Sequence, residues 1–132
     1  MIDVREYVAL DGSSPYAKWF NDLNAPAAAK VAIAVTRLAQ GNFSNAKSVG
    51  GGLQEYRIDF GPGYRIYFGR DGERLVILLG GGTKKRQRDD IRSAQALWAD
   101  YDAKKRRSDM ALTKDFKETI QERARRDAAF RD

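Results

Sequence analysis

The sequence predicts an α+β domain ordered strand, helix, helix, three antiparallel strands, helix, with the helices on one face of the sheet and a helical tail behind. Three features support this. "IDVREYVAL" alternates β-branched and aromatic residues with polar ones; residues 15–40 carry two apolar stripes at helical spacing; and three strand-like runs follow, separated only by turn residues. At 132 residues the chain fits one domain with a modest core.

The first strand ends at "DGSS", a turn cluster that also offers a helix cap at Ser13 or Ser14, with Pro15 tolerated in the first turn. Tyr16, Trp19, Phe20 and Leu23 then recur at helical spacing. Val31, Val35 and Leu38 mark the second helix, which ends at Gly41, so the two form a helical hairpin. "NFSNAKSVGGG" reads as a polar, mobile connector; its glycines lack the Lys-Ser/Thr ending of a phosphate loop. "LQEYRIDF", "YRIYFGR" and "RLVILLG" form a meander, turned at Gly61-Pro62-Gly63 and at "RDGE". "LVILL" has no polar alternation and belongs in the sheet interior, buried on both faces. Ile91, Ala94, Leu97, Trp98 and Tyr101 define the last helix of the domain, residues 1–107. Trp19, Trp98 and Tyr16 fall on apolar stripes and read as core.

Cysteine and histidine are both absent. That excludes disulfides, thiolate chemistry and every Ser/His or Cys/His nucleophile, so catalysis would fall to Lys, Arg, Tyr, Asp or Glu. No cofactor or metal is expected. No apolar run approaches the roughly 20 residues of a membrane helix, and "MIDVREYV" lacks the order of a signal peptide, so a cytoplasmic protein without a membrane partner is expected. The net charge is +6, and residues 108–132 balance six basic against six acidic residues, which leaves the excess in residues 1–107. Such an excess favours a polyanion, nucleic acid before acidic protein or lipid.

With Gly61-Pro62-Gly63 as a three-residue loop, Asp59 faces Arg65 and Arg57 faces Tyr67. Those four then share one face, opposite Ile58, Phe60, Tyr64 and Ile66. Beyond "LLGGG", Lys84, Lys85, Arg86, Gln87 and Arg88 crowd the start of a helix, where cations oppose the helix dipole and Asp89 with Asp90 relieves this only in part. A bound phosphate would turn that field favourable.

The run "SVGGGLQEYRIDFGPGYRIYFGRDGERLVILLGGGTKKRQRDDIRSAQALW" resembles the HigB-like, addiction-module killer branch of the RelE/ParE toxin superfamily, with similarity over residues 1 to about 105. The resemblance implies a RelE-like fold, mRNA endonuclease activity, ribosome dependence in many members, and a cognate antitoxin partner. It places Arg57 at the basic position before the hairpin, Arg65 at the transition-state arginine, and Lys84 and Lys85 in the basic segment after the last strand. Asp59 stands where RelE has a second lysine, and Ile91 falls near its catalytic tyrosine.

For metal-free cleavage by the RNA's own 2′-OH, Arg57 and Arg65 suit charge stabilisation and Lys84 suits charge stabilisation or the acid. Tyr67 is the first candidate base, since neighbouring cations would lower its phenol, unless it stacks on a nucleobase instead; Asp59 is the second. Lys47, Asp59, Lys85, Arg86 and Gln87 are expected RNA contacts, with Gln87 either on a base edge or capping the helix. Other readings are a non-catalytic ParE-like inhibitor of a protein such as gyrase, an RNA binder that does not cut, and a toxin silenced by its own tail.

The tail, residues 108–132, starts beyond the linker-like "KKRRSD", and from Met110 it shows helical spacing through Phe116, Ile120 and Ala124. It resembles the amino-terminal end of antitoxins of such systems. As an amphipathic helix it would restrain the toxin or mediate self-association.

Overall fold

The computed structural model describes residues 1–105 and 113–131. Its frame is a six-stranded sheet with five helices. In chain order these are β1 (Asp3–Tyr7), α1 (Pro15–Asp22), α2 (Ala25–Ala39), β2 (Ala46–Gly50), β3 (Leu53–Ile58), β4 (Tyr64–Asp71), β5 (Leu75–Thr83), α3 (Gln87–Lys105), β6 (Thr113–Asp115), α4 (Phe116–Arg126) and α5 (Ala128–Arg131). The spatial order is β2-β3-β4-β5-β1-β6, with β1 parallel to β5 and the other neighbours antiparallel.

Local chemistry sets the helix ends. Ser14 caps α1, its hydroxyl accepting from Ala17 N at 3.0 Å, and Asn24 caps α2 by accepting from Ala27 N at 3.0 Å. α2 closes through the amides of Gly41 and Asn42, which return to Leu38 O and Arg37 O, both at 2.9 Å.

Helices cover both faces of the sheet, not one as expected. Val4, Tyr56, Ile58, Ile66, Phe68, Val76 and Leu78 face α1 and α2 and form the larger core with Tyr16, Phe20, Val31, Val35 and Leu38. Leu53, Tyr67, Ile77 and Leu79 face the other way, onto Ala94, Trp98 and Tyr101 of α3. The cause lies in β5: a strand apolar on both sides needs cover on both, and each wholly buried Leu, Ile or Phe contributes about 1.5–3 kcal/mol.

β5 runs on through Gly80, Gly81 and Gly82 to Thr83, where the sequence suggested that the strand was over. These glycines admit close neighbours from both layers. A Cβ on Gly81 would lie 2.4 Å from the Trp19 ring, and one on Gly82 would lie 1.9 Å from a carboxylate oxygen of Asp90.

The segment read as a mobile connector contains β2, which extends the sheet beside β3. β-branched content is low there, so the strand owes its form to pairing with β3 and not to propensity. The tail also begins differently from expectation. Before its helix comes β6, paired with β1 (Arg5↔Asp115, Glu6↔Lys114, Tyr7↔Thr113), and Asp115 then caps α4. Phe116, Ile120 and Phe130 pack against the larger core, so the apolar side of the tail is taken up within the chain. The boundary at 107/108 and the helix start at Met110 lie outside the described residues. Among the described residues no helix is long and apolar enough to cross a membrane.

Candidate nucleic-acid site

The β3–β4 hairpin carries the site in a different register from the one expected. Arg57 lies opposite Arg65, Ile58 opposite Tyr64, and Glu55 opposite Tyr67. The turn takes five residues, Asp59–Gly63, because Phe60 N bonds back to Ile58 O and Gly63 N to Phe60 O before pairing resumes. The slip is two residues, and side chains alternate faces with a period of two. Arg57, Arg65 and Tyr67 therefore stay on one face, Asp59 drops out of the ladder, and Glu55 enters. The expected Asp59–Arg65 pair is not formed.

A cleft of about 540 Å³ opens on this face, lined by Ser44, Asn45, Lys47, Arg57, Asp59 and Lys84 with Arg65 behind them. Five expected residues thus meet there: Lys47, Arg57, Asp59, Arg65 and Lys84. β2 brings Lys47 in, opposite Glu55. Lys84 opens a 3-10 turn, Lys84–Arg86, and its amide donates to Gly63 O at 2.9 Å, which ties the turn to the hairpin. Thr83 precedes that turn with no side-chain cap, leaving its first amides without a side-chain acceptor.

The other expected residues stand elsewhere. Lys85 and Arg86 are exposed on the 3-10 turn, where Arg86 Nε lies 4.0 Å from Asp90. Gln87 is half-buried, and its Nε2 donates to Glu55 Oε2 at 2.7 Å, so its side chain is engaged with the buried acid instead of capping the helix. Tyr67 is fully buried. Burial, and after it the Glu55 and Asp90 carboxylates, push its phenol well above the ordinary range, outweighing the lowering by Arg65. The expectation that cations would favour the phenolate is reversed.

Glu55 is the residue that sequence reasoning missed. Its carboxylate is excluded from water, with Oε1 2.9 Å from Arg57 Nε and 4.0 Å from Arg65 Nε, while Oε2 takes the Gln87 bond. A buried charge is tolerable only when paired and hydrogen-bonded, and this one is both. The signal was there: Glu55 precedes Arg57 by two on a strand and so shares its face. Arg65 is itself 7% exposed, so the carboxylate offsets two guanidinium groups held close together. Among the described residues no group of three or more acidic side chains is arranged to hold a metal ion.

Residues 18–98 match the family described as phage-derived protein Gp49-like, a span holding every cation of the cleft. The chain belongs to the Gp49-like family. An uncharacterized protein of Haemophilus influenzae is 45% identical over 83 residues, which is 62% of this chain and 84% of that protein. No solved structure matches the chain. Gp49-like membership carries a toxin-like character and the theme of addiction modules, in which a toxin is matched with a cognate antitoxin. The tail, residues 113–131, lies beyond the Gp49-like match, and none of it lines the cleft.

Proposed function

We propose that the protein is the toxin of a type II toxin–antitoxin pair and cuts mRNA without a metal. The observation that carries this reading is the convergence of Lys47, Arg57, Arg65 and Lys84 on one cleft. Four cations around a cavity of that size suit a phosphodiester and the extra charge its phosphorus gains under attack.

In the reaction, a ribose 2′-oxygen attacks the adjacent phosphorus, the bond from phosphorus to the 5′-oxygen breaks, and the products are a 2′,3′-cyclic phosphate and a 5′-hydroxyl. The guanidinium groups of Arg57 and Arg65 hold the non-bridging oxygens; they remain protonated and can grip two oxygens at once. Lys84 gives its proton to the departing 5′-oxygen. The 2′-OH proton passes to Asp59, which lines the cleft free of a pair with Arg65, whereas buried Tyr67 is a poor acceptor. Glu55 acts through the arginines: it bonds Arg57 at Nε and lies 4.0 Å from Arg65 Nε, so its charge lets the two guanidinium groups stand close together beside the cleft.

The test is primer extension on cellular mRNA after induction, beside a purified reaction in excess chelator. Discrete cuts are expected in both, slowed by about 100- to 1,000-fold in Arg65→Ala and in Lys84→Ala. Cutting that is unchanged from the unsubstituted protein in both variants removes the site assignment. Growth arrest with no cutting by the unsubstituted protein would favour the inhibitor of a protein target.

A further inference from the structure

The cleft does not end at Arg57. A second hollow of about 200 Å³ lies against it, between α2 and the hairpin, and shares Asn45, Arg57, Ile58 and Asp59 as a common wall. Its far side is built by Lys30, Ile33 and Arg37, which are exposed and recur at helical spacing on α2. Its floor includes Phe60, whose ring lies 5.3 Å from Lys30 Nζ and 6.5 Å from the Tyr64 ring at an interplanar angle of 26°.

Each part is unusual for a plain surface. Ile33 is among the few large apolar side chains left exposed, at 49%. Lys30 and Arg37 flank it with no carboxylate partner among the ion pairs of the described residues. Cations beside a half-exposed aromatic and an exposed apolar side chain are the combination that binds single-stranded nucleic acid, where phosphates meet the charge and base faces meet the rings.

We propose that this hollow is a second RNA subsite. It takes a nucleotide next to the scissile linkage, with Lys30 and Arg37 on its phosphates and Phe60 with Ile33 against its base. The scissile phosphate then sits on the Arg57 ridge between two basic hollows. The inference rests on the RNA reading given above, and it names where the substrate strand runs once it leaves the cleft.

The experiment uses the full chain and a 2′-O-methyl octanucleotide, which binds but cannot be cut, with Kd measured over a range of salt concentrations. The double variant Lys30→Ala/Arg37→Ala is compared with Lys117→Ala/Arg125→Ala, which removes equal charge from exposed positions on α4. The first pair is expected to weaken binding by about tenfold and to flatten the salt slope by about 1.4, two phosphates' worth for a single strand. The α4 pair should leave both readouts close to those of the unsubstituted chain. Phe60→Leu should weaken binding by about fivefold or more with the slope kept, since stacking carries no counterions. Equal losses in the two pairs would reduce the effect to net charge and overturn the subsite, as would no loss in either. If the unsubstituted chain fails to bind the oligonucleotide at any salt, the endoribonuclease reading falls together with it.

Discussion

Glu55 shows how one buried acid can organise a basic site. Guanidinium groups on neighbouring strands repel each other, and without a counter-charge Arg65, almost wholly buried, would turn away from Arg57. Glu55→Gln keeps the shape and a hydrogen-bonding oxygen but deletes the charge. In the proposed RNA cleavage it is expected to lower kcat by about tenfold or more with a smaller change in KM, because the arginines would still attract phosphate but lose their alignment. A variant with unchanged kcat would show that the pairing is structural only. The site around it was legible in part, though Glu55 itself was missed: alternation put Arg57, Arg65 and Tyr67 on one face, and that survived a two-residue slip because parity survives it. The turn length did not follow from Gly61-Pro62-Gly63, since Asp59 and Phe60 bend with those residues through backbone bonds that no composition rule reveals.

At the level of elements, the helical hairpin, the meander and α3 followed from periodicity, while β2 and β6 did not. Both are short, and both exist because a neighbouring strand offers unpaired amides and carbonyls, a cause that resides in the partner and not in their own residues. The tail is fastened by more than β6. Arg123 is buried on α4, and its guanidinium donates to Phe20 O at 2.6 Å and Leu23 O at 2.5 Å, satisfying carbonyls at the end of α1. It also lies over the Phe20 and Phe130 rings, at 5.5 Å and 5.3 Å. Arg123→Ala strips two charged donors from buried carbonyls and is expected to cost about 2–4 kcal/mol, read as a lower midpoint in urea at unchanged m-value. Loss of the tail's protection in hydrogen exchange should accompany it; full protection with an unchanged midpoint would remove Arg123 as the fastening.

Across the whole molecule, the tail and the domain meet at a second buried acid. Glu6 of β1 is closed off from water and accepts from the Ser14 hydroxyl at 2.7 Å, beside the buried Tyr16 hydroxyl. Burial raises its carboxyl above the ordinary 4.5, with Glu118 adding to the rise while Thr119, Ser14 and Lys114 oppose it. With the folded value above the unfolded one, the native state binds more protons between the two, so this group's contribution falls as pH rises through that window. It is greatest below about 4.5 and levels off above the raised value. Glu6→Gln should flatten that arm, seen as a Tm difference between variant and parent that grows with rising pH and then holds constant. A difference independent of pH would mean that Glu6 does not titrate in the native state.

The two rims of the sheet complete the picture of how the molecule keeps to itself. A long, flat outer strand would offer a ready template for stacking ladder upon ladder into fibres. Here one rim is a three-residue strand that turns at once into α4, and the other is five residues broken by a bulge between Ser48 and Gly50 and bearing Lys47. Such blunt margins give a second copy of the chain little to pair with, and lengthening either strand by design should convert a clear solution into a turbid one.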